Sequence, residues 1–238
     1  MAGAQCCENP PSLNPSCGEG SVECLVGSIK AYVTGSVSSK KAVILASDVF
    51  GFEAPNLRKL ADKVAASGFF VVVPDYFYGD PYVPEKCAIP EWVKIHGPDK
   101  GFEDTMPLIA DLRSKGISAI GAAGFCWGAK VVAELTKTDE IQAAVMLHPS
   151  LVTVDDIKDV KVPIAILAAE TDHISPPELI KQFEEILSSK SEVNSFVKIF
   201  LGVAHGWTVR YKTDDDAAVK RAEEAHSHMI EWFTKYVS

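Results

Sequence analysis

The sequence predicts an α/β protein: a mostly parallel sheet with helices on both faces. Three observations carry that expectation. Apolar runs of strand length alternate with amphipathic stretches of helix length from Lys41 onward. Runs such as Ala42–Ala46 and Phe69–Val73 are apolar throughout rather than at every second position, the pattern of strands buried on both faces. In 238 residues, 47% hydrophobic and 23% charged, there is enough apolar material for one substantial core.

Taken in order, residues 1–20 hold three prolines and no hydrophobic periodicity, so Met1–Gly20 reads as an irregular arm ahead of a single domain at 21–238. Val22–Val33 suits two short strands around Gly27, a hairpin at the sheet edge. Ala42–Ala46 and Phe69–Val73 read as buried strands. Between them Leu57, Leu60, Ala61 and Val64 recur at helical spacing behind Pro55, which completes a strand-helix-strand unit. Further helices are expected at Glu103–Lys115, Ala129–Lys137, Pro177–Leu187 and Asp216–Tyr236. Further strands are expected at Ile117–Gly121, Ala143–His148, Pro163–Ala168 and Ser195–Phe200. Gly79–Gly101, with four prolines and no clean period, reads as a long loop or cap near the site. In such an architecture functional groups gather at the carboxyl ends of the strands.

Composition excludes several classes. With 32 acidic against 23 basic residues the formal charge is −9, and no Lys/Arg block exceeds two residues, so neither nucleic acid nor an anionic membrane is an expected partner. The apolar runs fall far short of the roughly 20 residues that span a bilayer, and no basic segment with an apolar stretch behind it follows Met1, which points to the cytoplasm. Six cysteines are too few for a disulfide framework in a chain of this length, and no CxxC pair suggests zinc. Cys6, Cys7, Cys17, Cys24 and Cys87 read as core or tail residues. No metal or organic cofactor is expected.

Cys126 stands in a different neighbourhood. Gly124-Phe125-Cys126-Trp127-Gly128 follows an apolar strand and opens a helix, giving the G-x-C-x-G spacing of the sharp turn that presents a nucleophile above an α/β-hydrolase sheet. Its glycines leave room for close backbone approach, and the helix start favours a thiolate and a developing oxyanion. Read alone, the pentapeptide fits a tight turn with a buried cysteine equally well. A nucleophile of this type requires an acid and then a histidine downstream. Asp172 follows the next strong apolar strand but one, and His205 follows the strand after that, so the three arrive in the required order. His148, His173, His96, His226 and His228 compete less well: His148 precedes the acid and is followed by proline, while His226 and His228 lie two apart and so on different faces of a helix. The turn Ser47–Gly51 stands where such enzymes supply a second oxyanion donor, making the backbone N–H groups of Val49 and Trp127 the candidates for that hole. Asp48 fits two readings, a solvated turn residue or one that sits beside the thiol.

These residues together resemble the dienelactone hydrolase family over essentially the whole of Val22–Tyr236. The matching elements are D-V-F-G at Asp48, V-V-V-P-D-Y ending at Tyr76, G-F-C-W-G at Cys126, T-D-H-I-S-P at Asp172 and A-H-G-W at His205. The amino-terminal C-C-x-N-P-P is similar to the plant branch, which includes proteins named endo-1,3;1,4-β-D-glucanases. The resemblance implies Cys126 as nucleophile, His205 as base and Asp172 as its partner, acting on an ester or lactone through a thioester. Asp48, Phe50, Tyr78, Trp207 and Arg210 are the implied substrate-binding or thiol-pairing residues. In the family a glutamate pairs with the cysteine where Asp48 stands here. Two family arginines correspond to Gly79 and Val209, with Arg210 one step away, which weighs against a carboxylate-bearing substrate. The expected partner is a small-molecule ester or lactone, and the expected assembly a monomer or homodimer. Two other readings stay open: a β-glucan hydrolase, which requires a facing pair of carboxyl groups, and a non-catalytic binding protein on the same fold.

Overall fold

The computed structural model describes residues 4–238; Met1–Gly3 of the arm and the side chains of Ala4 and Cys6 lie outside the described residues. Eight strands form one sheet: β1 (Ser21–Cys24), β2 (Lys30–Thr34), β3 (Lys41–Ala46), β4 (Phe70–Pro74), β5 (Ala119–Phe125), β6 (Ala143–Leu147), β7 (Ile164–Thr171) and β8 (Ser195–Ala204). Their spatial order is β1-β2-β4-β3-β5-β6-β7-β8. The first two join antiparallel, as the edge hairpin around Gly27 requires, and every pair from β4 to β8 is parallel.

The helices are α1 (Pro55–Ala66), α2 (Ile89–Ile95), α3 (Pro98–Ser114), α4 (Trp127–Leu135), α5 (Val154–Lys158), α6 (Pro177–Ser189) and α7 (Asp216–Tyr236). Alternation along each strand sends side chains to two cores. Ala42, Ile44 and Ala46 of β3 join Leu108 and Leu112 of α3, Val131 of α4 and Phe183 of α6 on one face. Val43 and Leu45 of the same strand join Leu57 and Leu60 of α1 and Met229 and Phe233 of α7 on the other. Because both faces of β3, β4, β5 and β6 are covered, these strands have no solvent side to mark with polar residues, and their unbroken apolar runs follow from that.

Three expectations need correction. Gly79–Gly101 is not simply a loop: Pro90 and Pro98 sit in the first turns of α2 and α3, where the missing N–H costs nothing, so these prolines start helices. Trp92, Ile89 and Tyr82 of this stretch are buried in the core. The strand expected at Ile117–Gly121 runs instead over Ala119–Phe125, because the small run Gly121–Gly124 has little intrinsic strand preference and is held there by β3 and β6 on either side. The helix α5 was not expected; it is only five residues long and begins with a capping box in which Thr153 and Asp156 satisfy each other's backbone N–H groups.

The arm is tied down by side chains of the domain. Arg58, 1% exposed, donates to the Pro15 and Cys17 carbonyls from Nη1 and to the Phe52 carbonyl from Nε, and its guanidinium packs over Tyr32 and Phe52. Among the described residues no helix is long and apolar enough to cross a membrane.

Candidate active site

Parallel register brings the ends of the central strands to one edge: Ala46 pairs with Gly124, Phe125 with Leu147, and Thr171 with Ala204. The residues that follow immediately are Ser47, Cys126, His148, Asp172 and His205.

Cys126 occupies a strained turn, with φ 51° and ψ −110°, a region that costs a residue with a side chain on the order of 1–3 kcal/mol. Neighbouring backbone holds it there. Its N–H donates to the Leu147 carbonyl, and its own carbonyl accepts from Ala129 and Ser150, all at 3.1 Å. Both flanking glycines are required sterically. A Cβ on Gly124 would lie 2.3 Å from the Gly128 oxygen, and one on Gly128 would lie 2.1 Å from the Ala46 oxygen. The chain can thus turn from β5 into α4 only with glycine on both sides of the cysteine.

His205 and Asp172 meet directly. Nδ1 of His205 lies 2.7 Å from Oδ2 of Asp172, and the other carboxylate oxygen accepts the N–H groups of Ile174 at 2.9 Å and Ser175 at 3.1 Å. The carboxylate is thereby fixed in plane as well as in place, and it takes the one ring nitrogen facing it as donor.

The other candidates surround this pair unequally. Asp48 closes its own turn by accepting from Phe50 N at 3.0 Å, and its Oδ2 lies 3.5 Å from Nε of Arg210, both side chains being almost wholly buried. Arg210 also donates to the Glu8 carbonyl at 2.9 Å and sits over the Phe50 ring. Trp207 packs on Phe200 and on His148. Trp127 is the first residue of α4, so its N–H is one of the amide donors that a helix start leaves without an intrahelical acceptor. Its indole points elsewhere, donating to the His96 carbonyl at 2.9 Å. Val49 is buried in the Asp48 turn, its carbonyl accepting from Tyr82 N at 2.9 Å. Tyr78 stands apart: it is half exposed and its hydroxyl donates to Asp104 of α3.

The competing histidines have other partners. His148 is fully buried, its Nε2 2.7 Å from Thr208 Oγ1 and its ring edge-on to His205. Burial, then the neighbouring His205 and Arg210, holds its ring well below the ordinary histidine pKa, so at neutral pH it is an uncharged packing surface for His205. His226 turns inward to the Thr208 carbonyl, whereas His228 meets Lys198. His96 contacts Asp80, and His173 is exposed.

A groove of about 1190 Å³ reaches His205, and its lining includes Asn9 and Pro10 of the arm together with Trp207, Arg210 and Tyr211. Cys126 itself is fully buried. The reasoning from sequence missed Gln5, whose side chain reaches Thr171 and His173 around the acid; a polar residue in an irregular arm gives no local signal of such a contact.

The model of the dienelactone hydrolase family matches residues 29–237. Among curated proteins the chain is 45% identical to an endo-1,3;1,4-beta-D-glucanase of Zea mays over 81% of its own length, spanning 64% of the maize protein. It is 36% identical to the carboxymethylenebutenolidase homolog of Mus musculus, over 90% of this chain and 91% of the mouse protein. Among solved structures, a dienelactone hydrolase-like promiscuous phosphotriesterase from metagenomic libraries superposes with a TM-score of 0.70 at 16% identity, covering 88% of this chain and 93% of that one. Family match and fold agree: the chain belongs to the dienelactone hydrolase family, carboxylic ester hydrolases of the α/β-hydrolase fold.

Proposed function

We propose that this chain hydrolyses a neutral carboxylic ester or lactone by acyl transfer through Cys126, with His205 as base and Asp172 as the group that orients it. The observation that carries the reading is the 2.7 Å contact between His205 Nδ1 and Asp172 Oδ2, closed to solvent, at the same sheet edge as a strained Cys126.

An isolated thiol, with pKa about 8.5, is only a few per cent ionised at neutral pH, so His205 takes the proton as sulfur attacks the acyl carbon. The oxyanion that forms is held by the backbone N–H groups of Val49 and Trp127. Collapse breaks the carbon–oxygen bond, and the imidazolium returns its proton to the leaving alkoxide, leaving a thioester on Cys126. In a lactone the new hydroxyl remains on the acyl chain. Water, deprotonated by His205, then adds to the thioester, and the second tetrahedral species expels the thiolate, which recovers the proton. Asp172 stays ionised throughout and stabilises the imidazolium. A neutral substrate is favoured because the charge of Arg210 is already matched by Asp48.

The maize relative's name raises a second reading, cleavage of a mixed-linkage glucan. A glycosidase needs a protonated carboxyl group facing a second carboxylate. The nearby carboxylates are committed otherwise: Asp48 to Arg210, Asp172 to His205, and exposed Glu170 to the Gly202 N–H at 2.7 Å. The test is a panel of p-nitrophenyl esters, lactones and mixed-linkage β-glucan on wild type and Cys126→Ala. Ester or lactone turnover that falls at least a thousandfold in the variant is expected. Glucan cleavage that survives the substitution, or wild type inert toward every ester and lactone, overturns the reading.

A further inference from the structure

Gln5 is buried, 6% exposed, whereas residues 7–20 of the arm are exposed or partly exposed, and the chemistry above makes no use of it. Its Nε2–H donates to the Thr171 carbonyl at 2.9 Å, and its Oε1 accepts from the His173 N–H at 2.6 Å. One planar amide therefore grips the residue before Asp172 and the residue after it. The same Thr171 carbonyl accepts the backbone N–H of His205 at 3.3 Å, so the arm, the acid loop and the base loop share one acceptor.

Resting on the assignment of Asp172 and His205 given above, we propose that Gln5 is a positioning residue that aims Asp172 at His205, making the arm part of the active site. The need for such a residue follows from the sheet. The pairing of β7 with β8 shifts register between Ala169 and Thr171 and resumes only for the single pair Thr171–Ala204, so strand pairing stops at the residue before Asp172. The N–H groups of Ile174 and Ser175 fasten the carboxylate only to its own loop. Gln5 fastens that loop to a separate segment of chain. A side chain serving merely as filler would need volume; this one uses a donor and an acceptor at two places 2.9 and 2.6 Å away, and so fixes orientation.

The test compares wild type with Gln5→Met, which keeps the volume but neither bond, and Gln5→Glu, which keeps the acceptor for His173 and sets an oxygen against the Thr171 carbonyl. Turnover of p-nitrophenyl acetate is measured together with the ring tautomer of His205 by ¹⁵N NMR. The expected result is a fall in kcat of about ten- to a hundredfold in Gln5→Met, with KM within about twofold, a smaller fall in Gln5→Glu, and a Nδ1–H tautomer that becomes mixed. Wild-type kcat and tautomer in both variants overturn the proposal. If Gln5→Met fails to fold, the near-isosteric Gln5→Glu decides. If wild type turns over no ester yet the variants still disturb the tautomer, the positioning role stands and the ester reading falls; turnover and tautomer both unchanged from an active wild type sink the positioning role alone.

Discussion

The His205 Nδ1–Asp172 Oδ2 contact, 2.7 Å long, links two side chains with 0% and 1% exposure, so it is made away from competing water. At such a place a hydrogen bond to a charged group is shorter and stronger than a neutral one, and it fixes which ring nitrogen carries the proton. That leaves Nε2 as the basic nitrogen of His205.

Asp172→Asn should therefore damage turnover far more than stability. The amide still accepts the loop N–H groups but no longer stabilises the imidazolium. We expect a loss of about 10⁴-fold in kcat on an activated ester, with KM little changed. Steady-state kinetics on the folded variant check this; a loss under tenfold would remove Asp172 from the mechanism.

Gly128→Ala should destabilise the fold by about 2–3 kcal/mol, since its Cβ would sit 2.1 Å from a backbone oxygen that cannot swing away. Gly97→Ala is the matched control: its φ is −68° and the nearest atom to a new Cβ is 3.8 Å away. Urea denaturation of the two variants should separate them clearly.

Acid should weaken the protein partly through His226, whose pKa burial pushes down to about 4 against the opposing bond to the Thr208 carbonyl. Above pH 6.5 folded and unfolded chains both carry it neutral. Between pH 6.5 and 4 the unfolded chain binds a proton that the folded chain refuses, so stability falls as pH drops through that window, by about 3 kcal/mol in all. His226→Gln, which retains a donor for Thr208, should flatten this part of the curve of unfolding free energy against pH.

Asp48→Asn removes the negative charge that lies 3.5 Å from the buried guanidinium of Arg210. The expected cost is about 3 kcal/mol in urea, because removing one member of a buried ion pair leaves the desolvation of the other less well compensated. Asp48→Asn combined with Arg210→Met should recover much of that loss, and failure to recover would mean that the pair carries less than its burial suggests.

Much of the fold was legible because it is written at short range. Apolar runs and helical spacing located every strand and most helices, and α7 has the bounds expected for it. Where local preference and tertiary need diverged, the reading slipped. The glycine- and alanine-rich β5 is a strand by virtue of its two neighbours, and the prolines of 79–101 looked like breakers until α2 and α3 used them as first-turn residues.

The same division runs through the site. Strand-end motifs and chain order are local and one-dimensional, and from them alone one reads which residue types follow which strand ends: Cys126 between obligatory glycines, then Asp172, then His205. Packing in three dimensions alone sets the 2.7 Å approach of His205 to Asp172, the approach of Asp48 to Arg210, and the reach of Gln5 to Thr171 across 166 positions. Those contacts arise where separate segments are packed against one sheet edge, and no spacing along the chain encodes that distance.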